Sequence, residues 1–180
     1  MKKNFIKFTI FIAIAFFTSN AIAQSEQGDK ELGADFRLGI GASKDAPNML
    51  IGGSFKGRFT LIDNFRLDVN LSRMTSFGKL KDLVDTELYS SLELCTDFHY
   101  IYDLTYGFFV YPLAGVGGVL VTDSRVSDDW GYALVVNAGA GIQFMYDDTW
   151  GFSLETKYKK FIGDEPFGYI NLSLGVILKL

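Results

Sequence analysis

The chain is 180 residues long, enough for one domain, with a formal net charge of −4. That acidic balance argues against nucleic acid as a partner. The single cysteine, Cys95, excludes an intrachain disulfide framework and a cysteine-based metal site.

Met1–Ala23 reads as a secretory signal peptide. Lys2, Lys3 and Lys7 form a basic start, Phe8–Phe17 a short apolar stretch, and Ala21-Ile22-Ala23 a small-x-small cleavage site. The apolar stretch falls well short of the about 20 residues that a helical span needs. Cleavage near Ala23 would remove three lysines and no acid, taking the net charge from −4 to −7. Gln24–Leu32 is polar and reads as an unstructured periplasmic lead-in.

From residue 33 onward the dominant signal is a period of two, the mark of a strand with one apolar and one polar face. Gly33–Ser43 sets Phe36, Leu38 and Ile40 against Asp35, Arg37 and Gly39. Asn48–Phe59 sets Ile51, Phe55 and Phe59 against Ser54, Lys56 and Arg58. Asn64–Met74 sets Phe65, Leu67, Val69 and Leu71 against Arg66, Asp68, Asn70 and Ser72. Thr86–Tyr100 sets Leu88, Leu92, Leu94, Phe98 and Tyr100 against Glu87, Glu93, Cys95, Asp97 and His99.

Tyr106–Val121 alternates least clearly, and Pro112 within it lacks the ladder N–H, which predicts a bulge or a local loss of pairing. Gly131–Tyr146 recovers the pattern, with Tyr132, Leu134, Val136, Phe144 and Tyr146 against Asn137, Gly139, Gly141 and Gln143. Trp150–Lys160 sets Trp150, Phe152, Leu154 and Tyr158 against Ser153, Glu155, Lys157 and Lys159. Gly168–Leu180 closes the series, with Ile170, Leu172, Leu174, Val176, Leu178 and Leu180 in one phase and Asn171, Ser173, Gly175 and Lys179 in the other.

Eight such strands, each near the ~9–11 residues that cross a bilayer at a tilt, predict an all-β, eight-stranded antiparallel up-and-down transmembrane barrel over residues 33–180. The connectors Thr60–Asp63, Ile101–Thr105 and Asp147–Thr149 are short and read as periplasmic turns. Lys44–Pro47, Thr75–Asp85, Thr122–Trp130 and Phe161–Phe167 include the longer ones and read as surface loops.

Alternation alone also fits a soluble lipocalin-like barrel with an apolar interior. Three features favour a lipid-facing apolar phase. No charge falls in its strand middles, where a lysine or arginine costs ~2–4 kcal/mol. The polar phase mixes charge with glycine and serine, which suits the crowded lumen of a narrow barrel. Aromatics collect at strand ends: Phe59, Phe65, Phe98, Tyr100, Phe144, Tyr146 and Trp150 by the short turns, Tyr132 and Tyr158 by the loops, as two interfacial girdles.

The chain from residue 24 onward resembles the OmpA/OmpX-like family of eight-stranded outer-membrane barrels. Tyr111-Pro112-Leu113-Ala114-Gly115-Val116-Gly117-Gly118 looks like a glycine-rich central strand of that family. Ser173-x-Gly175-x-x-Leu178-x-Leu180 fits the polar-x-Gly-x-x-apolar-x-apolar terminal signal that the barrel-assembly machinery reads, although Leu180 stands where the family usually has Phe or Trp. The resemblance implies export, insertion by that machinery, and a monomer surrounded by outer-membrane lipids. It covers the barrel only, so the peptidoglycan-tethering role of OmpA's second domain is not expected.

The inward phase is expected to hold Arg37, Lys56, Arg58, Arg66, Lys157, Lys159 and Lys179 against Asp35, Asp68, Glu87, Glu93, Asp97 and Glu155. Charges this nearly balanced favour mutual pairing that plugs the lumen, since unpaired buried charge is costly. The alternative is a small-conductance channel lined by the same groups. His99 falls at the periplasmic end of its strand, away from the outer leaflet where a lipid A-modifying enzyme would act. Cys95 reads as a space-filler. Gly39-x-Gly41, Gly115-x-Gly117 and Gly139-x-Gly141 lack the rest of a nucleotide-binding loop, and no cofactor or metal is expected. Asp123, Asp128, Asp129, Asp164 and Glu165 make an acidic outer rim, with Trp130 as an anchor for a surface partner or an interface residue.

Overall fold

The computed structural model describes residues 27–43, 49–76, 89–105, 107–123, 130–163 and 166–180. The signal peptide, Glu87, Asp128, Asp129, Asp164 and Glu165 lie outside the described residues.

The described chain is all β: β1 (Lys30–Gly41), β2 (Met49–Ile62), β3 (Phe65–Ser76), β4 (Tyr89–Tyr100), β5 (Tyr102–Thr105), β6 (Phe108–Asp123), β7 (Trp130–Met145), β8 (Trp150–Ile162) and β9 (Gly168–Lys179). All pairings are antiparallel. Each strand pairs with the next except that β4 and β5 do not pair with each other and both border β6, and β9 returns to β1, so no edge is left open among the described strands. β4 and β5 share one place in the wall, which makes a closed eight-stranded barrel.

The register fixes the bore. Stepping across paired residues from Glu31 leads through Arg58, Asp68, Asp97, Gly115, Asn137, Lys159 and Tyr169, and returns to β1 at Gly41. The offset from Glu31 to Gly41 is a shear of ten residues. Eight strands at that shear tilt by about 35–45° and enclose an interior just wide enough for side chains.

Burial is inverted relative to a soluble protein. Phe55 is 74 % exposed and Leu174 60 %, whereas Arg58 and Lys159 are 1 % exposed. The apolar phase therefore faces outward and the charged phase inward. This excludes the lipocalin-like arrangement, whose interior is apolar.

Two expectations are corrected. β1 begins at Lys30, ahead of Gly33, because Glu31 and Leu32 continue the in–out alternation and pair with Arg58 and Gly57. The stretch just before β1 is also tied down: Gly28 N–H donates to Thr60 O at 3.0 Å and Thr60 N–H to Asp29 O at 2.9 Å. Ile101–Thr105 is not a turn. Tyr102–Thr105 is β5, and the reversal moves to Gly107, whose φ of 76° a glycine adopts without steric cost. The strand expected over Tyr106–Val121 is present as β6, sixteen residues long.

Pro112 causes a local loss of pairing with no bulge. It pairs with Ala140 across β7, but the β4 ladder stops at His99↔Leu113 and resumes at Tyr102↔Val110. The missing proline N–H removes the bond that would join the two pieces. Ile101 opposite this gap donates its N–H to Asn64 O instead, at 2.7 Å.

Glycines on the inner wall admit neighbouring chain. A Cβ on Gly139 would lie 2.0 Å from the Thr156 carbonyl oxygen, whereas one on Gly118, which faces outward, would meet nothing within 4 Å. Gly139→Val should therefore abolish the SDS-resistant, heat-modifiable form on gels, and Gly118→Ala should leave it intact. Retention of the shift by Gly139→Val would show that the wall is looser than this.

Candidate functional site

Among the described residues, the lumen gathers the chemistry-bearing side chains. Alternation points Asp35, Lys56, Arg58, Asp68, Glu93, Asp97, Glu155, Lys157 and Lys159 inward, and the shear brings residues distant in sequence to a common level.

Arg58 and Glu155 are the hub. The Arg58 guanidinium donates to Asp68 Oδ2 at 2.8 Å, to Gln143 Oε1 at 2.9 Å, to the Tyr111 hydroxyl at 3.2 Å, and to Glu155. Glu155 also accepts from the Tyr111 hydroxyl at 2.8 Å and meets Lys56 at 3.3 Å and Lys157 at 3.0 Å. Lys56 reaches Asp35 at 2.8 Å, and Lys157 reaches Asp97 at 2.6 Å. Asn70 and Asn137 donate to Asp97 at 3.2 and 2.9 Å, and Arg37 donates to Asn70 at 3.2 Å.

Nearer the end with the longer connectors, Lys159 pairs with Glu93 at 2.5 Å, and Glu93 also accepts from the Tyr169 hydroxyl at 2.8 Å and Ser91 at 3.2 Å. At the short-turn end Arg66 donates to Gln143 at 2.7 Å and contacts Glu31 at 3.3 Å. Among the described residues, six cations (Arg37, Lys56, Arg58, Arg66, Lys157, Lys159) thus meet six carboxylates (Glu31, Asp35, Asp68, Glu93, Asp97, Glu155).

His99 is fully buried. Its Nδ1 accepts from Arg66 at 3.1 Å, and its ring stacks on Tyr111 at 4.7 Å. One donor atom each from Asp68, His99 and Glu155 lie within 4.8 Å of one another, a spacing that could hold a metal ion. Arg58 bridges the two carboxylates and Arg66 donates to Nδ1, while the buried Nε2 has no hydrogen-bond partner among the described residues.

Above the network the inward face becomes apolar. Leu50, Met74, Val119, Val135, Phe161 and Tyr169 pack together with Cys95, and none is more than 2 % exposed. Phe161 stacks on Phe167 at 4.4 Å and on Tyr169 at 5.5 Å. This cap fills the lumen toward the end with the longer connectors. At the other mouth, a cavity of about 30 Å³ between Glu31, Arg66, Gln143 and Lys179 has room for about one water.

Lys179 departs from the expected network. It sits at the short-turn rim, 35 % exposed, paired with Asp29 at 2.8 Å. Its strand has reached the barrel end, so its inward phase opens to solvent. Sequence reasoning passed over Glu31, Tyr111, Gln143 and the apolar cap. Glu31 lay in the stretch read as a lead-in, although the alternation Glu31–Gly33–Asp35 carries the signal. The cap was visible as Leu50, Val119 and Val135 occurring in the inward phase near the loop ends.

The aromatic residues Phe59, Phe65, Phe98, Phe144, Tyr146, Trp150, Tyr132 and Tyr158 all project outward and are exposed, and Tyr100 is half-buried. Phe65, Tyr100 and Tyr102 make successive edge contacts of 4.9 and 4.7 Å at the short-turn rim. Ser173 and Gly175 face inward on β9, and Leu178 and Leu180 lie at its C-terminal end.

Comparison with solved structures places this geometry. The neisserial surface protein A, NspA, is 13 % identical and superposes with a TM-score of 0.72 over 84 % of this chain and 97 % of its own. The fold is that of the OmpA/OmpX-like outer-membrane barrels. OprG from Pseudomonas aeruginosa matches at 11 % identity and a TM-score of 0.60, over 86 % of this chain and 97 % of that one. Ail from Yersinia pestis, solved in complex with the heparin analogue sucrose octasulfate, matches at 14 % identity and 0.55, over 86 % and 99 %. No protein-family model matches the chain, and no curated protein sequence does either. An OmpA/OmpX-like barrel is a transmembrane fold, so the exposed apolar band is its lipid-facing surface.

Lys159 and Glu93 form a buried ion pair in the lumen. Lys159→Met should lower unfolding free energy by about 3–5 kcal/mol, because Glu93 is left charged and buried. Adding Glu93→Gln should restore more than half of that. Urea unfolding followed by tryptophan fluorescence in detergent would measure both, and equal stability of the single variant and the wild type would mean the pair is solvated.

Proposed function

We propose that this chain is a non-enzymatic outer-membrane protein with a plugged lumen. It would act as a rigid scaffold that supports envelope integrity or presents its surface loops to a partner. The observation that carries this reading is the filled bore: paired charges span its middle, and the buried apolar cap lies above them. An apolar constriction resists wetting, and a fixed ion-pair network holds no mobile carriers. Export with cleavage near Ala23, and insertion through the terminal signal ending at Leu180, belong to the same proposal.

The connectors are acidic in sequence, with Asp123, Asp128, Asp129, Asp164 and Glu165. This favours a cationic surface partner over a sulfated sugar such as the one in the Ail crystal. His99, held between Arg66 and Tyr111, is far better placed as a strut than as a base.

In planar bilayers the purified protein should give only small, rare openings, whereas steady nanosiemens-scale conductance would replace this reading with a channel. A strain lacking the protein should become more sensitive to detergent, and His99→Ala should leave the lipid A profile unchanged.

A further inference from the structure

Several buried polar atoms of the lumen have no hydrogen-bond partner among the described residues. They include Arg37 Nε and Nη1, the amide nitrogen and oxygen of Asn171, and the hydroxyls of Ser72 and Ser173. All four residues are at most 2 % exposed.

The register brings these groups together. Arg37 on β1 lies opposite Ser173 on β9, and Asn171 is the next inward residue of that strand. On its other side Arg37 lies opposite Gly52, which has no side chain. The guanidinium passes over β2 and donates from Nη2 to Asn70 on β3 at 3.2 Å. Ser72 is the next inward residue of β3. The unpartnered groups therefore flank the guanidinium from β3 and from β9. One inward step further along β2, β3 and β9 stand Leu50, Met74 and Tyr169 of the apolar cap. Beside that cap a charge is weakly screened.

Arg37 is also thinly compensated. Its ion pair among the described residues is with Asp35, at 3.7 Å. Asp35 lies closer to Lys56, at 2.8 Å, and accepts from Ser54 at 3.1 Å. Glu93 is engaged by Lys159 and Tyr169, Asp97 by Lys157, and Glu155 by Arg58 and Lys56. Guanidinium and carboxamide N–H groups only donate, so what this level lacks is an acceptor. Of the unpartnered oxygens, Asp35 Oδ1 and Glu155 Oε2 face Lys56 and Lys157, and those of Asn171 and Asn137 are neutral. A buried charged donor is matched best by a charged acceptor.

We propose that the lumen seats a monovalent anion of halide size beside Arg37, directly under the apolar cap. Arg37 Nε and Nη1 hold it by charge-assisted hydrogen bonds, and Asn171 Nδ2 and the hydroxyls of Ser72 and Ser173 complete its donor shell. A bore just wide enough for side chains favours a single-atom anion over a bulkier oxyanion. The inference rests on the plugged-lumen reading above and adds one more part to the plug.

The full chain refolded in detergent with sodium chloride or sodium gluconate at equal ionic strength tests it. In urea unfolding, ~0.15 M chloride should favour the folded form about tenfold over gluconate, the gain from a ligand at about nine times its dissociation constant. Bromide should reproduce the gain. Ser173→Ala should cut it at least about twofold and Arg37→Met should abolish it, since each removes donors from the shell. Crystals grown with bromide should show an anomalous peak inside the bore beside Arg37. Heated-against-unheated gels show which variants fold, and should Arg37→Met fail to fold, Ser173→Ala and the bromide peak decide. Equal wild-type stability in the two salts, an undiminished gain in Ser173→Ala, or no bromide peak at Arg37 would each overturn the proposal. A peak without the stability gain would mark an adventitious ion only, and would overturn it too. Steady nanosiemens-scale conductance would overturn the plugged-lumen reading itself, whereas a closed bore without these halide effects overturns the anion seat alone.

Discussion

Closure of the backbone ladder is the constraint from which the rest follows. A bilayer supplies no water to an open sheet edge, so every strand must have two neighbours. Eight strands at a shear of ten achieve this, as the path from Glu31 back to Gly41 shows. The same numbers set the bore, and the bore sets what can stand inside. Glycines at 115, 139 and 175 occur where a neighbouring side chain or carbonyl takes the space. Large charged side chains then reach across to one another because they have nowhere else to go.

The lumen is consequently layered. The rim at the short turns carries Lys179 and Asp29, the middle carries the Arg58–Glu155 hub, and the end with the longer connectors carries apolar side chains around Phe161. Polar and apolar layers fill the bore for different reasons. The hub satisfies charges that would otherwise be stranded in low dielectric. The cap packs like an ordinary protein core, with Leu50, Met74 and Val135 in close contact.

The fold was readable in the sequence because a period of two over long segments has one economical explanation once a short apolar leader precedes it. The outward direction of residues such as Phe55 and Leu174 followed from where charge was missing. Two things were not readable. The split at Ile101 depends on Pro112 lying opposite, and that juxtaposition exists only after β4 and β6 are in register. The partners of each inward charge depend on shear, which no local pattern encodes. Alternation can say that Lys56 and Glu155 share a phase, but it cannot say that they meet. Glu31 shows the cost of trusting composition over alternation at a chain end, since its polar neighbourhood concealed a strand.

The ion pairs that span the bore also constrain how the molecule can be assembled. Lys56 and Glu155 are 99 residues apart, Lys159 and Glu93 are 66 apart, and Lys157 and Asp97 are 60 apart. No single hairpin contains both members of any of these pairs. A hairpin entering the bilayer alone would drag unmatched charge into hydrocarbon, which the membrane strongly opposes. Insertion in stages, strand pair by strand pair, is therefore disfavoured by the contents of the lumen. The inward charges must stay hydrated until the walls are nearly joined, so the last seam to close, between β1 and β9, is also the step that expels water from the interior.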